Sequence, residues 1–95
     1  MRDYSEIRSR RSDGQGEEIF LGMVILPHPG LLAEAAKDLA AFPDIELGTV
    51  ESHRLPAVAQ VRLGADEDLL KRIDALPAVM HVDVVFAQIL AEELP

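Results

Sequence analysis

The sequence predicts one small α+β domain in which two helices cover one face of a four-stranded antiparallel sheet. Three observations support this prediction. Several short segments alternate apolar and polar residues, as half-buried strands do. Two other segments repeat apolar residues at helical spacing. The two helical segments also share one order of apolar positions, each followed by a proline (Pro43 and Pro77) and a strand-like segment. This echo indicates a duplicated helix–strand unit.

The first half of the domain predicts a strand, a helix and a second strand. Residues 19–26 form an almost continuous apolar run, which is typical of a strand at the centre of a sheet. Residues 27–30 contain two prolines and a glycine, so they end the strand and precede a helix. The apolar positions of that helix are Leu32, Ala35, Ala36, Leu39 and Phe42. Residues 45–49 then alternate as a strand with one solvated face.

The second half repeats this order after a turn at residues 52–56. Residues 57–63 alternate as the third strand. A helix follows, and the acids of its first turn suit the positive end of the helix dipole. The acids are Asp66, Glu67 and Asp68, and the apolar positions are Leu69, Leu70, Ile73 and Leu76. In the last strand we expect Met80, Val82, Val84 and Phe86 to face inward, and residues 87–95 to form a short tail.

This βαββαβ order with right-handed crossovers predicts a ferredoxin-like fold with the strand order 4-1-3-2. Residues 1–18 are predicted to be a separate flexible N-terminal arm, because they are rich in serine, glycine and charge. Residues 19–95 are predicted to be a single domain.

Composition excludes several classes of function. The formal net charge is −8, with 17 acidic residues against nine basic ones, which disfavours nucleic acid and anionic membrane surfaces as partners. No apolar run is long enough to insert into a membrane. The absence of cysteine excludes disulfides and thiolate chemistry. We find no phosphate-binding loop or nucleophile motif, and therefore expect neither enzymatic activity nor a cofactor.

Two further patterns are assigned no role. The histidines His28, His53 and His81 are predicted to lie at one end of the sheet but too far apart to share a metal ion, so no metal site is expected. The segment Ser9-Arg10-Arg11-Ser12 is superficially like the core of a twin-arginine export signal. Acidic residues follow it, so we interpret it as part of a charged arm.

The face of the sheet that the helices leave uncovered is the candidate functional surface, called here the open face. It is predicted to mix small apolar side chains with acids. The alternation assigns to it Gly22, Val24, Leu26, Glu46, Gly48, Val50, Val58, Gln60, Arg62, His81, Asp83, Val85 and Ala87. A purely solvated face would carry fewer valines and leucines. The pattern predicts either a dimer interface or a docking surface for a peptide, and does not separate the two.

Five segments together carry a resemblance to a known family: Leu21-Gly-Met-Val-Ile25, Leu39-Ala-Ala-Phe-Pro43, Ile45-Glu-Leu47, the acid-led helix of residues 66–76 and the final strand of residues 79–86. By their order and spacing, residues 19–90 resemble the NapD family. The family's members are small cytoplasmic chaperones of the periplasmic nitrate reductase catalytic subunit, with a ferredoxin-like fold. They are thought to hold the twin-arginine signal peptide of the precursor until its molybdenum cofactor is inserted.

The resemblance implies a cytoplasmic, non-enzymatic peptide-binding chaperone that is a monomer or a weak homodimer. The residues expected to bind the peptide are Val24, Leu26, Glu46, Val50, Val58, Gln60, Arg62, His81, Asp83 and Val85. Glu46, Glu51 and Asp83 are expected to receive the arginines. Val24, Val58 and Val85 are expected to hold the apolar stretch as a helix lying on the sheet. Two alternatives stay open: a regulatory module that binds small molecules, similar to amino-acid-responsive (ACT/RAM-like) domains, and a structural homodimer.

Overall fold

The architecture follows the predicted strand and helix order in the computed structural model, which describes residues 17–90. The strands are β1 (Glu18–Pro27), β2 (Ile45–Leu47), β3 (Leu55–Arg62) and β4 (Val79–Leu90). The helices are α1 (Leu32–Ala40) and α2 (Ala65–Asp74). The strands form one sheet in the order β2-β3-β1-β4. This is the predicted order read from the other edge, and every pairing is antiparallel. The ferredoxin-like fold is therefore confirmed.

The hydrophobic core lies between the sheet and the two helices. On β1 the inward positions Ile19, Leu21 and Ile25 are fully buried, as are Leu39 of α1 and Ile73 of α2. Of the other apolar positions predicted for the helices, Ala35 and Leu69 are also buried. The rest are partly buried against this core: Leu32, Ala36, Phe42, Leu70 and Leu76. The strict alternation of buried and partly exposed residues along β1 leaves every second side chain on the open face.

The boundaries of β1, β2 and β3 differ from the predictions. β1 begins at Glu18, one residue earlier than expected, so the predicted arm contributes its last residue to the sheet. β3 begins at Leu55, inside the predicted turn, because Leu55 is buried in the core. β2 is only three residues long.

The start of α2 depends on its acidic first turn. Gly64 precedes the helix with a φ of 107°, a conformation that residues with a Cβ rarely adopt. The Gly64 N–H donates a hydrogen bond of 2.8 Å to Oδ1 of Asp66, whose side chain is fully buried. Asp66 therefore satisfies a backbone donor at the point where the chain turns into the helix.

Candidate functional site

The open face contains most of the residues predicted for it. Residues paired across an antiparallel sheet share a face. On β1, Val24 is paired with Asp83 and Leu26 with His81. Val58 of β3 is paired with Glu46 of β2. Phe20, Gln60, Glu18 and Arg62 occupy the other end of the same face. Val50 lies outside the strands, in the connection between β2 and β3, and is 42% exposed.

The prediction for the last part of β4 is wrong because the strand contains an irregularity. The register shifts between Gly22 and Met23, so Val85 is an extra residue in β4. After it, Phe86 is opposite Gly22 on the open face, and Ala87 is opposite Leu21 on the helix side, where it is buried. Val82 and Val84 precede the shift and face inward as predicted.

A second register shift affects the start of β4. It lies between Leu26 and Pro27 and leaves Met80, which was expected to face inward, 51% exposed. β4 also continues to Leu90, so residues 87–90 are strand and not tail. Residues 84–87 are four successive apolar residues, so the sequence shows that the alternation breaks there but not which residue is extra.

An apolar groove occupies the middle of the open face, with a volume of about 430 Å³. It is lined by Gly22, Met23, Val24, Glu46, Leu47, Gly48, Pro56, Ala57, Val58 and Val85. The extra residue Val85 brings an apolar side chain to this groove. Of the described residues 17–90, Glu46 is the only one with an ionisable side chain that borders it.

Two glycines keep the groove open. A Cβ on Gly22 would approach Cβ of Phe86 to 3.2 Å, and a Cβ on Gly48 would approach Cγ of Pro56 to 3.2 Å. Both distances are tighter than ordinary van der Waals contact, so each glycine allows a neighbouring side chain to lie close above the sheet. Phe86 also packs against Phe20, edge to face, with ring centroids 6.2 Å apart.

A second cavity, which we call the acidic subsite, adjoins the apolar groove. Its volume is about 380 Å³, and it is lined by Phe20, Pro43, Asp44, Ile45, Glu46, Val58, Ala59 and Gln60. Glu46 and Val58 line both cavities. The subsite combines two carboxylates with an aromatic ring, which are groups that an arginine guanidinium binds through charge-assisted hydrogen bonds and stacking. Sequence analysis missed Asp44 and Phe20 because the first was assigned to the end of the first helix and the second to a continuous apolar strand.

The carboxylates of the open face differ in whether they already have a hydrogen-bond partner. Asp83 Oδ1 lies 2.6 Å from His81 Nε2, and Glu18 accepts a hydrogen bond from the Gln60 side chain. Within residues 17–90, no hydrogen bond or ion pair engages the carboxylate of Glu46. Glu51 lies in the turn before β3, where its backbone pairs with Arg54, and lines neither cavity. Glu46 is therefore the carboxylate best placed to receive a cation.

The overall charge of the described part reinforces this preference. Residues 17–90 contain twelve acids and five lysines or arginines, a net charge of −7. Such a field attracts a cationic ligand over a distance of about 8 Å at physiological ionic strength.

The three histidines of the described residues do not gather with acids into a group suited to a metal. His81 is opposite Leu26, and His53 lies in a turn with a φ of 64°. Within the described range 17–90, no three or more histidine, aspartate or glutamate side chains come together as a possible metal site. No helix in that same part of the chain is long and apolar enough to cross a membrane.

Comparison with known proteins shows a likeness of fold. No protein-family model matches the chain, and no curated protein does. Among solved structures, the chain is similar to the solution structure of the E. coli Tat proofreading chaperone protein NapD, with a TM-score of 0.67 and 19% sequence identity. The match covers 82% of this chain and 87% of that chain. The resemblance inferred from the sequence is therefore confirmed as a likeness of fold.

Proposed function

We propose that this protein is a binding protein that holds the twin-arginine signal peptide of an exported reductase precursor on its open face until the precursor's cofactor is inserted. The observation that carries the proposal is the junction of an apolar groove and an acidic subsite at Glu46 and Val58. A twin-arginine signal has a cationic start followed by an apolar stretch, so one continuous ligand matches both cavities. The structural likeness to a Tat proofreading chaperone supports the same role.

The order of the two cavities gives the bound peptide a direction. The acidic subsite lies near Phe20 and Gln60, towards the start of β1, and the apolar groove lies near Gly22 and Val24. The arginines therefore bind near the start of β1, and the apolar stretch runs from there towards Val24 and Val85. A helix lying on the sheet places apolar side chains every three or four residues into the groove.

Isothermal titration calorimetry with a synthetic twin-arginine signal peptide tests the proposal. We expect micromolar or tighter binding that weakens by tenfold or more when both arginines are lysines, because lysine lacks the planar fork that binds a carboxylate through two hydrogen bonds. Affinity should also fall as salt rises.

Charge-reversal variants locate the site. Glu46→Lys should lower the affinity about tenfold or more, because it replaces an acceptor with a like charge at the acidic subsite. Asp74→Lys makes the same change in net charge at the end of α2, on the opposite side of the sheet, and should lower it by less than about threefold. Equal losses in the two variants would mean that only net charge matters.

The calorimetry also separates the alternatives. No heat at high peptide concentration would contradict the proposal. A stable dimer in light scattering would then favour the structural homodimer, and a thermal shift with free amino acids would favour a regulatory module. The proposed function itself requires a monomer or a weak dimer, because a tight dimer through the open face would cover both cavities.

A further inference from the structure

The arginine pair of the N-terminal segment has no role in the function proposed above. Residues 1–16 contain four arginines and three acids, so this segment is net positive, whereas residues 17–90 carry −7. Three of the arginines fall within residues 8–11, and the pair Arg10-Arg11 has serine on both sides. The chain thus carries its own twin-arginine sequence on a segment of opposite charge to the rest of the protein.

This segment joins the sheet at the end where the acidic subsite lies. The Leu63 N–H donates a hydrogen bond of 3.0 Å to the Glu17 carbonyl, which fixes the chain beside the end of β3. The next residue, Glu18, is on the open face, paired with Arg62. Phe20, two residues further along β1, lines the acidic subsite. The segment therefore starts on the β3 side of β1, which is the side where Glu46 lies.

The length of the segment allows its arginines to reach Glu46. Arg11 lies seven positions before Glu18, with six residues between them, so the two can be up to about 23 Å apart when the chain is extended. Val58 is paired with both Glu46 and Gly22, so Glu46 is level with Gly22 and two strands away from β1. Gly22 is four residues after Glu18 along β1. A rise of about 3.3 Å per residue and a strand spacing of about 4.8 Å place Glu46 about 16 Å from Glu18. The extended chain from Arg11 to Glu18 is therefore longer than the distance from Glu18 to Glu46. The excess length allows the chain to turn back over the open face.

We propose that residues 1–16 bind the open face of the same molecule, with Arg10 and Arg11 in the acidic subsite beside Asp44 and Glu46. This segment then competes with any external peptide that carries an arginine pair. The competition rests on the proposed function, whereas the docking itself does not. Because a short tether gives an effective concentration in the millimolar range, even a millimolar contact occupies the subsite in about half of the molecules.

Paramagnetic relaxation enhancement in the full chain tests the docking without an external ligand. The sequence has no cysteine, so Ser9→Cys provides a single site for a spin label. We expect the label to broaden the amide signals of Gly22, Glu46 and Val58 more strongly than those of Lys37 and Lys71 on the helices. Arg10→Gln with Arg11→Gln should remove this difference. Arg54→Gln with Lys71→Gln removes the same charge elsewhere and should retain it.

Two results would overturn the docking. One is equal broadening on both sides of the sheet, and the other is a pattern that survives loss of both arginines. Broadening that appears only between a labelled chain and a separate, isotope-labelled chain would show docking between molecules and would also contradict the proposal.

Titration of the twin-arginine peptide then distinguishes this inference from the proposed function. We expect the peptide to displace the label from the open face, and the Arg10→Gln/Arg11→Gln variant to bind the peptide about two- to tenfold more tightly, since a larger fraction of molecules is free to bind. If the segment docks but no peptide binds, the proposed function fails and the docking stands. If the peptide binds equally well to both proteins and the label shows no docking, the proposed function stands and this inference fails.

Discussion

The two faces of the sheet use neighbouring residues of the same strands for different purposes. On β1, Ile19, Leu21 and Ile25 contact the helices and are fully buried, while Val24 and Leu26 lie between or beside them on the open face and are only partly buried. The helix side is filled by large aliphatic side chains. The open face contains two glycines, a groove and an unengaged carboxylate. The comparison indicates that the helix side stabilises the fold and that the open face leaves space above the sheet, where the proposed ligand would bind.

The largest expected effect comes from introducing a charge on either side of the register shift in β4. Ala87→Asp places a carboxylate among the buried residues of the helix side and should lower the free energy of unfolding by about 3 kcal/mol. Gln88→Asp, one residue later and exposed, should lower it by less than about 1 kcal/mol. Urea unfolding of both variants measures the difference. If Ala87→Asp lowered the free energy of unfolding less than Gln88→Asp, Ala87 would lie on the open face, as the regular alternation predicted.

A matched pair of valines on β3 gives the next largest effect. Val61 is 9% exposed on the helix side, and Val58 is partly exposed in the apolar groove. Val61→Ala should lower the free energy of unfolding by about 2 kcal/mol, whereas Val58→Ala should lower it by less than about 1 kcal/mol. Peptide affinity should show the reverse order, with a loss only for Val58→Ala. If both variants lost stability and affinity together, the two faces would not be functionally distinct.

The smallest effect compares two acids of the open face. Glu46→Gln should weaken twin-arginine peptide binding about fivefold, because its carboxylate is available for a charge-assisted hydrogen bond. Asp83→Asn should weaken it by about twofold or less, because Asp83 is already in contact with His81. Calorimetry at low salt resolves the two. A larger loss for Asp83 would move the arginine position from the β2 side of the sheet to the β4 side.

The candidate site was predictable from the sequence only where the alternation is regular. Glu46, Val58 and Val24 follow from it, and the structure places all three around the apolar groove. Phe20 has the same parity on β1 as Val24, so the alternation pointed to it as well. Asp44 could not be found in this way, because it precedes β2 and the acidic subsite forms where β2 starts beside β3 and β1. The peptide-binding role of the predicted residues stays a prediction.

The sequence by itself determined the order of the elements, the strand arrangement and the inward residues of β1, β3 and both helices. Those features follow from local periodicity and from the handedness of short connections, which each segment carries independently of its neighbours. The tertiary structure alone decided the direction of Phe86 and Ala87 and the joining of the two cavities at Glu46. A register shift depends on which residue of the partner strand accepts the pairing, here Gly22 with its small size opposite Phe86, and no segment read alone contains that information.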